Sequence, residues 1–279
     1  MKVTLMPNLT KENAYKTTID LCESLKKLNF NYDFFGDFSD YDTDFISSSD
    51  ISADTDVIIA IGGDGTMIRA AKYALPHGIP VLGVNAGTLA FLADLESNEM
   101  DLLNKLLSKN YVIDERMVLD IKIYDNFNNI IYSDNCINDI VISRGVQIKI
   151  SSFDFYCNDK FVSQYKADGI VIATPTGSTA YNLSAGGPVI DPLIESLILT
   201  PICPHSFKQQ TILFSSDSVL KIVNPSASGN LVFASCDGNE SIEFGYNYSA
   251  VIKKSNDKVK FIRLKNDSFT DILYKKMKN

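Results

Sequence analysis

Residues 57–71, VIIAIGGDGTMIRAA, constrain the fold more than any other stretch of this 279-residue chain. Residues 57–61 are uninterrupted apolar, as in a strand buried on both faces. Two glycines, an aspartate, a third glycine and a threonine follow at once, and a helical pattern begins near residue 67. A strand that runs through glycines into a helix is the building unit of a parallel sheet covered by helices. The surroundings agree. Residues 3–6 make a short apolar start, and residues 11–28 place Ile19, Leu21, Cys22, Leu25 and Leu28 at helical intervals. Residues 31–35 are strand-like, residues 36–56 are an acidic, serine-rich loop, residues 79–84 are a second buried strand, and residues 99–107 read as a helix.

Beyond about residue 114 the period changes. Short β-rich runs at 118–124, 130–133, 137–143, 148–157 and 161–165 are separated by turn residues, with Asn158 and Asp159 at a hairpin tip. Similar runs recur at 170–173, 211–214, 219–223, 231–234, 249–253 and 259–264, while residues 201–205 read as a rigid connector. Residues 268–277 return to a helix with Ser268 as its cap. The expected fold is an α/β N-terminal domain, a parallel sheet with flanking helices, plus a mostly antiparallel β-sandwich C-terminal domain. Boundaries are expected at 1–114, 115–264 and 265–279, the last a helix packing back on the N-terminal domain.

Composition narrows the setting. Hydrophobic residues make up 45% and charged residues 22%, enough apolar material for real cores. No apolar run reaches membrane-spanning length, and the first ten residues lack the apolar core of a signal peptide. Five scattered cysteines with no CxxC pair argue against disulfides or zinc and for a reducing cytoplasm. The formal charge of −8 argues against a nucleic-acid partner. Residues 253–279 run against this trend, with nine Lys or Arg and three Asp. That basic tail reads either as solvated surface or as a face that attracts phosphate.

Three segments carry chemistry. In the 62–66 turn, glycines let backbone N–H groups approach an anion, and the helix start adds partial positive charge. Asp64 would repel phosphates there, so it reads as holding a metal, accepting a proton, or simply capping the helix. No lysine follows the last glycine, which excludes a P-loop. Residues 167–192 crowd Thr174, Thr176, Ser178, Thr179 and Tyr181 among glycines, small donors suited to sugar hydroxyls, an amide and a phosphate. Tyr181 could stack on a base or pack in a core. Asn138 and Asp139 interrupt an alternating run, as a bulge does or as a pair gripping two hydroxyls would. His77 and His205 have no triad or ligand spacing and read as structural.

In sum these segments resemble the NAD kinases: GGDGT at 62–66, NAGTLAFL at 85–92, NDIVISRG at 138–145, ADGIVIATPTGSTAYNLSAGGP at 167–188, LTPICPHS at 199–206, CDGN at 236–239 and VKFIRLKNDSFTDILYKKM at 259–277. GGDGT alone is shared with diacylglycerol and sphingosine kinases; the 174–187 block is the discriminating part. The resemblance implies transfer of the γ-phosphate of ATP, or of polyphosphate, to the 2′-hydroxyl of the adenosine ribose of NAD, with Mg²⁺ or another divalent cation. It implies a site between the two domains and assembly as a homodimer or homotetramer, with no nucleic acid and no membrane. Carried over by position, Asp64 matches the general base, with Gly65 beside it. Asn138 and Asp139 match the pair that contacts NAD. Lys166 and Asp168 match positions near substrate. Thr176, Thr179, Ala180, Tyr181, Asn182, Leu183 and Ser184 match the nucleotide-binding loop, and Asn239 a position after an Asp-Gly pair. Arg69, one turn beyond Gly65, faces either phosphate or solvent. Two departures stand out: Ala90 replaces the glycine of the usual LGFL, and Asn239 replaces a longer Gln. A lipid or sugar kinase on the same turn, and a non-catalytic dinucleotide-binding regulator, are the competing readings.

Overall fold

The computed structural model describes residues 1–277 apart from 42, 47, 88, 89, 147, 148 and 226–230. The chain divides into two compact units, residues 1–115 with 259–279, and residues 116–258.

The first unit is built from β1 (Lys2–Pro7), α1 (Ala14–Lys27), β2 (Asn31–Phe34), β3 (Val57–Gly62), α2 (Asp64–Ala74), β4 (Val81–Asn85), β5 (Leu95–Glu96) and α3 (Asn104–Leu107). Strands β2, β1, β3 and β4 lie side by side in parallel, and β5 extends β4. Every residue of β3 is buried, as its unbroken apolar run requires. Leu5, Leu21, Leu25, Ile59, Ile61 and Val84 meet in one core, joined by Ile262 and Leu264 from the far end of the chain. Helix α2 begins at Asp64, three residues earlier than the apolar spacing indicates, because Gly63 serves as its N-cap. The helical reading of 99–107 resolves into a 3₁₀ turn, Met100–Leu103, that runs into α3.

The second unit is all but free of helix. Its strands are β6 (Val112–Tyr124), which enters from the first unit, β7 (Ile130–Cys136), β8 (Asp139–Arg144), β9 (Ser151–Cys157), β10 (Lys160–Ala167) and β11 (Gly169–Ala173). After the short helix α4 (Tyr181–Ser184) come β12 (Ser196–Ile202), β13 (Ile212–Ser215), β14 (Leu220–Val223), β15 (Val232–Cys236), β16 (Ile242–Glu243) and β17 (Ser249–Arg263). One antiparallel sheet runs β13-β12-β11-β8-β15-β16; in the other, β10, β9, β14 and the start of β17 are antiparallel neighbours. Alternate residues of both point into a shared core of Ile140, Ile142, Phe153, Phe155, Ile222 and Phe244. Strand β11 is buried on both faces, since Val171 and Ala173 form a second small cluster with Ile198. Asn158 and Asp159 both take positive φ, 50° and 62°, so the hairpin tip is where the sequence puts it.

Two expectations are corrected. The runs at 249–253 and 259–264 form one fifteen-residue strand, β17. The polar residues between them do not break it, because Lys254 and Lys258 both reach Glu195 at 2.9 Å and Ser255 is buried. The supposed connector at 201–205 is half strand: β12 pairs Pro201 with Ile170 of β11. Pairing of β12 with β13 stops at Leu199, so the proline lies on an edge that requires no donor.

The end of β17 and the helix after it, α5 (Phe269–Met277), belong to the first unit. Asp94, buried, accepts the backbone N–H of Leu264 at 2.7 Å and lies 3.8 Å from the Arg263 guanidinium. Burial pushes its carboxyl up, and the Leu264 N–H and Arg263 oppose that shift. Arg263 also reaches Asp114 at 3.0 Å, and Lys105 holds the Leu264 carbonyl at 2.7 Å. Ser268 then starts α5 in a reciprocal capping box: its hydroxyl accepts the Asp271 N–H, and Asp271 accepts the Ser268 N–H at 2.9 Å. Asp94→Ala removes the acceptor of the buried Leu264 N–H and the negative charge beside Arg263 at once. It should cost about 3 kcal/mol of stability, the scale for breaking a buried pair, measured by urea denaturation of the variant against the parent.

Candidate active site

In the first unit, the 62–66 turn is shaped by close packing on one side and left open on the other. A side chain at Gly62 would collide with Thr66, which also accepts from Asn8 at 3.2 Å. Gly63 and Gly65 have nothing within 4 Å of where a side chain would stand. Their open faces, with the first N–H groups of α2, leave room for an anion.

Asp64 is not the cap of α2. As the first residue inside the helix it turns its carboxylate onto residues 91–92. One oxygen accepts the Phe91 N–H and the other the Leu92 N–H, each at 2.8 Å. An ionised carboxylate offers about four acceptor positions, so room remains for a further hydroxyl. Leu92 is held from the other side too, its carbonyl accepting from Arg263 at 3.2 Å. Arg69 lies exposed on α2 and lines an open cleft of about 660 Å³ with Phe35, Asp37, Ser48 and Tyr73. Of the LAFL stretch, Ala90 is buried, and residue 89 lies outside the described residues.

The second unit gathers three of the segments singled out in the sequence. Asn138 and Asp139 do not form a bulge; they make the turn from β7 into β8. Asp237 fixes that turn, accepting the N–H groups of Ile137, Asn138 and Asp139 at 2.9, 2.7 and 3.2 Å. Thr174 closes the other side, its hydroxyl bonding the Ile137 carbonyl and its N–H the Asn138 carbonyl. Gly177 packs so tightly on the Asn138 backbone that any side chain would overlap it. Arg116 reaches Thr176 at 3.4 Å.

Within the 174–187 loop, interior and exterior members separate cleanly. Asn182 is fully buried and its amide is spent on the loop itself: Nδ2 donates to the Ser178 and Pro188 carbonyls, and Oδ1 accepts from Thr200 at 2.7 Å. Ser178 clamps Ile190 through both N–H and carbonyl. Thr179 bonds back to the Thr176 carbonyl. Tyr181, Leu183 and Ser184 are exposed, and Ala180 half-buried. At 45% exposure Tyr181 is no core residue, so the stacking alternative survives.

Asp168 is engaged by Arg144, at 2.6 Å from Nε and 3.1 Å from Nη2, and that guanidinium holds its carboxyl below the usual range. Lys166 is exposed at the end of β10. The Asn239 side chain is exposed, while its backbone bonds Cys236 and Ser235. His205 lines a second groove, about 310 Å³, beside Phe207 and Gln209.

Sequence reasoning missed two residues. Asp237 was legible in CDGN only as a neighbour of Asn239, yet it is the residue that fixes the 137–139 turn. Lys276 was one cation among nine. Its Nζ lies 4.0 Å from the centre of the Phe91 ring, buried and with no hydrogen-bond partner.

One unit thus presents an open glycine turn beside a fixed carboxylate, and the other a loop on a β-sandwich whose Thr174, Thr176 and Ser178 are buried while Tyr181 and Leu183 are exposed. The same fold occurs in crystal structures of a yeast NADH kinase complexed with NADH and of an Archaeoglobus fulgidus NAD kinase in complex with ATP. The TM-scores are 0.89 and 0.75 at 20% and 22% identity; both matches cover 100% of this chain, with 87% and 99% of those chains. Closer in sequence are the NAD kinases of Thermoanaerobacter pseudethanolicus and Acetivibrio thermocellus, each 36% identical. Those matches cover 99% and 98% of this chain and 98% and 96% of the relatives. Family profiles described as ATP-NAD kinase N-terminal and C-terminal domain match residues 2–111 and 137–264. The chain belongs to the NAD kinase family.

The 137–139 turn has a pH signature. Burial, and then the charge of Asp237, push the Asp139 carboxyl up to about 7. The folded state therefore binds this proton more tightly than the unfolded chain. The stability it contributes is complete below pH ~4 and is lost as pH rises through ~7. Asp139→Asn should flatten that fall in melting temperature between pH 4 and 8, read by calorimetry across the range; an unchanged slope would refute the assignment.

Proposed function

We propose that this chain is an NAD kinase, transferring the γ-phosphoryl group of ATP to the 2′-hydroxyl of the adenosine ribose of NAD to give NADP and ADP. Full-length similarity to NAD kinases supports the reaction. The observation that carries the chemistry is Asp64: a carboxylate fixed by two N–H groups, beside the open faces of Gly63 and Gly65.

The bond between the γ-phosphorus and its bridging oxygen breaks as the ribose oxygen bonds to phosphorus, and the hydroxyl proton leaves. In a loose transition state most acceleration comes from alignment and charge neutralisation. Carboxylates are weak bases toward sugar hydroxyls. Asp64 therefore acts first by orienting the 2′-hydroxyl and takes its proton late. The glycine-turn N–H groups hold the phosphates, with Arg69 a further cation at the exposed side of α2. Asn138 and Asp139 address the ribose diol, and Tyr181 offers a face for a base. Thr176, Thr179, Ala180, Leu183 and Ser184 form the rest of the binding loop, which Asn182 holds in shape from within. Asp168, paired with Arg144, and the exposed Lys166 and Asn239 lie at the border of the acceptor site.

Polyphosphate is an alternative donor of the same chemistry. Family resemblance also implies Mg²⁺. Among the described residues no group of three or more His, Cys, Asp or Glu stands together to hold a metal. The ion would arrive on the donor's phosphate oxygens, and no step here depends on it. The free cysteines support a reducing cytoplasm. No helix among the described residues is long and apolar enough to cross a membrane. Leu193, Ile194 and Phe207, highly exposed, favour a homodimer or homotetramer that covers them.

The direct test is NADP formation from NAD, ATP and Mg²⁺, repeated with polyphosphate; no NADP from either donor overturns the reading. Asp64→Asn should keep NAD affinity, measured calorimetrically, and lose about 10²- to 10⁴-fold in turnover, the scale of general-base contributions. Turnover close to the parent's would remove Asp64 from the mechanism.

A further inference from the structure

The basic tail is mostly accounted for by structure. Lys254 and Lys258 pair with Glu195, Arg263 with Asp114, Lys265 with Glu99 and Lys275 with Asp267. Lys276 stands apart in that its ammonium is buried. Its ammonium lies over the Phe91 ring, shielded from solvent, with no hydrogen-bond acceptor. An ammonium carries three donors, and burying them unused is costly. A ring face returns only part of that cost.

The location gives the position meaning. Phe91 is the residue whose N–H binds Asp64, so ring, ammonium and carboxylate adjoin around one backbone segment. Burial lowers the Lys276 pKa to about 8, while the charges of Asp64 and Glu96 oppose the shift without either bonding the ammonium. At neutral pH this is an unsatisfied cation next to a turn already open to an anion.

We propose that Lys276 is a ligand of the phosphoryl donor, its ammonium bonding the terminal phosphate oxygens of a polyanion seated at the Gly62–Gly65 turn. This rests on the reading of that turn as the donor site. The arriving phosphate supplies the acceptors that neighbouring side chains do not, and α5, capped by Ser268 and tethered through Asp94, sets where the ammonium stands.

Lys276→Met keeps the length and apolar stem of the side chain and removes the charge; Lys276→Arg keeps the charge. The methionine variant should lose about 10- to 100-fold in kcat/KM for ATP, the scale of charged hydrogen bonds, while KM for NAD stays near the parent's. The arginine variant should regain most of the loss. The melting temperature of ligand-free Lys276→Met should equal or exceed the parent's, since a buried unpaired charge is gone, whereas a purely structural lysine would lower it. The rise in melting temperature on adding ATP, read without turnover, should shrink in Lys276→Met. Parent-like kcat/KM for ATP in the methionine variant, or equal losses toward both substrates with a lower melting temperature, would overturn the inference. If the parent makes no NADP, the enzymatic reading fails by itself, and the ATP-induced thermal shift still decides for or against Lys276.

Discussion

One carboxylate fixed by two neighbouring N–H groups organises the first unit around its glycine turn. Asp64 opens α2 but spends its oxygens on Phe91 and Leu92, not on capping its own helix. That choice does two things. It anchors the segment after β4 to the start of α2, and it keeps the carboxylate in one orientation with acceptor capacity left over. The second unit uses the same device in a different role: Asp237 gathers three N–H groups and thereby fixes the Asn138–Asp139 turn against the loop of Thr174 and Gly177. In both, backbone donors hold the carboxylate in place.

Much of this was legible in the sequence. Strand β3 and the glycine turn follow from apolar continuity ended by glycine, and the β-rich second unit from short alternating runs. Asn158 and Asp159 declared their hairpin because few other residues accept positive φ. Failures came where tertiary partners overrode local pattern. Lys254 to Lys258 look like a turn in isolation, yet Glu195 neutralises them along one continuous strand. Pro201 looks like a strand breaker, yet it falls where the neighbouring strand has ended.

The site divides along the same line. Asp64 stood out by chemistry, because a carboxylate among the glycines of a strand-to-helix turn requires a reason. Asn182 and Tyr181 could not be sorted by residue type: the amide looks like a ligand and is internal, while the ring looks like core and is exposed. Lys276 was hidden by its neighbours. Only coordinates show which lysine of the tail has its ammonium buried over a ring without a hydrogen-bond partner.

Strand β17 leads the chain out of the second unit and returns it to the first. On the ribosome, residues 1–115 emerge early but must wait for Ile262 and Leu264 to complete their core, whereas residues 116–258 have all their own material in hand. Vectorial synthesis should therefore consolidate the β-sandwich first and leave the parallel sheet exposed until residues 259–264 emerge. The unit that carries the glycine turn is begun before the β-sandwich and completed after it.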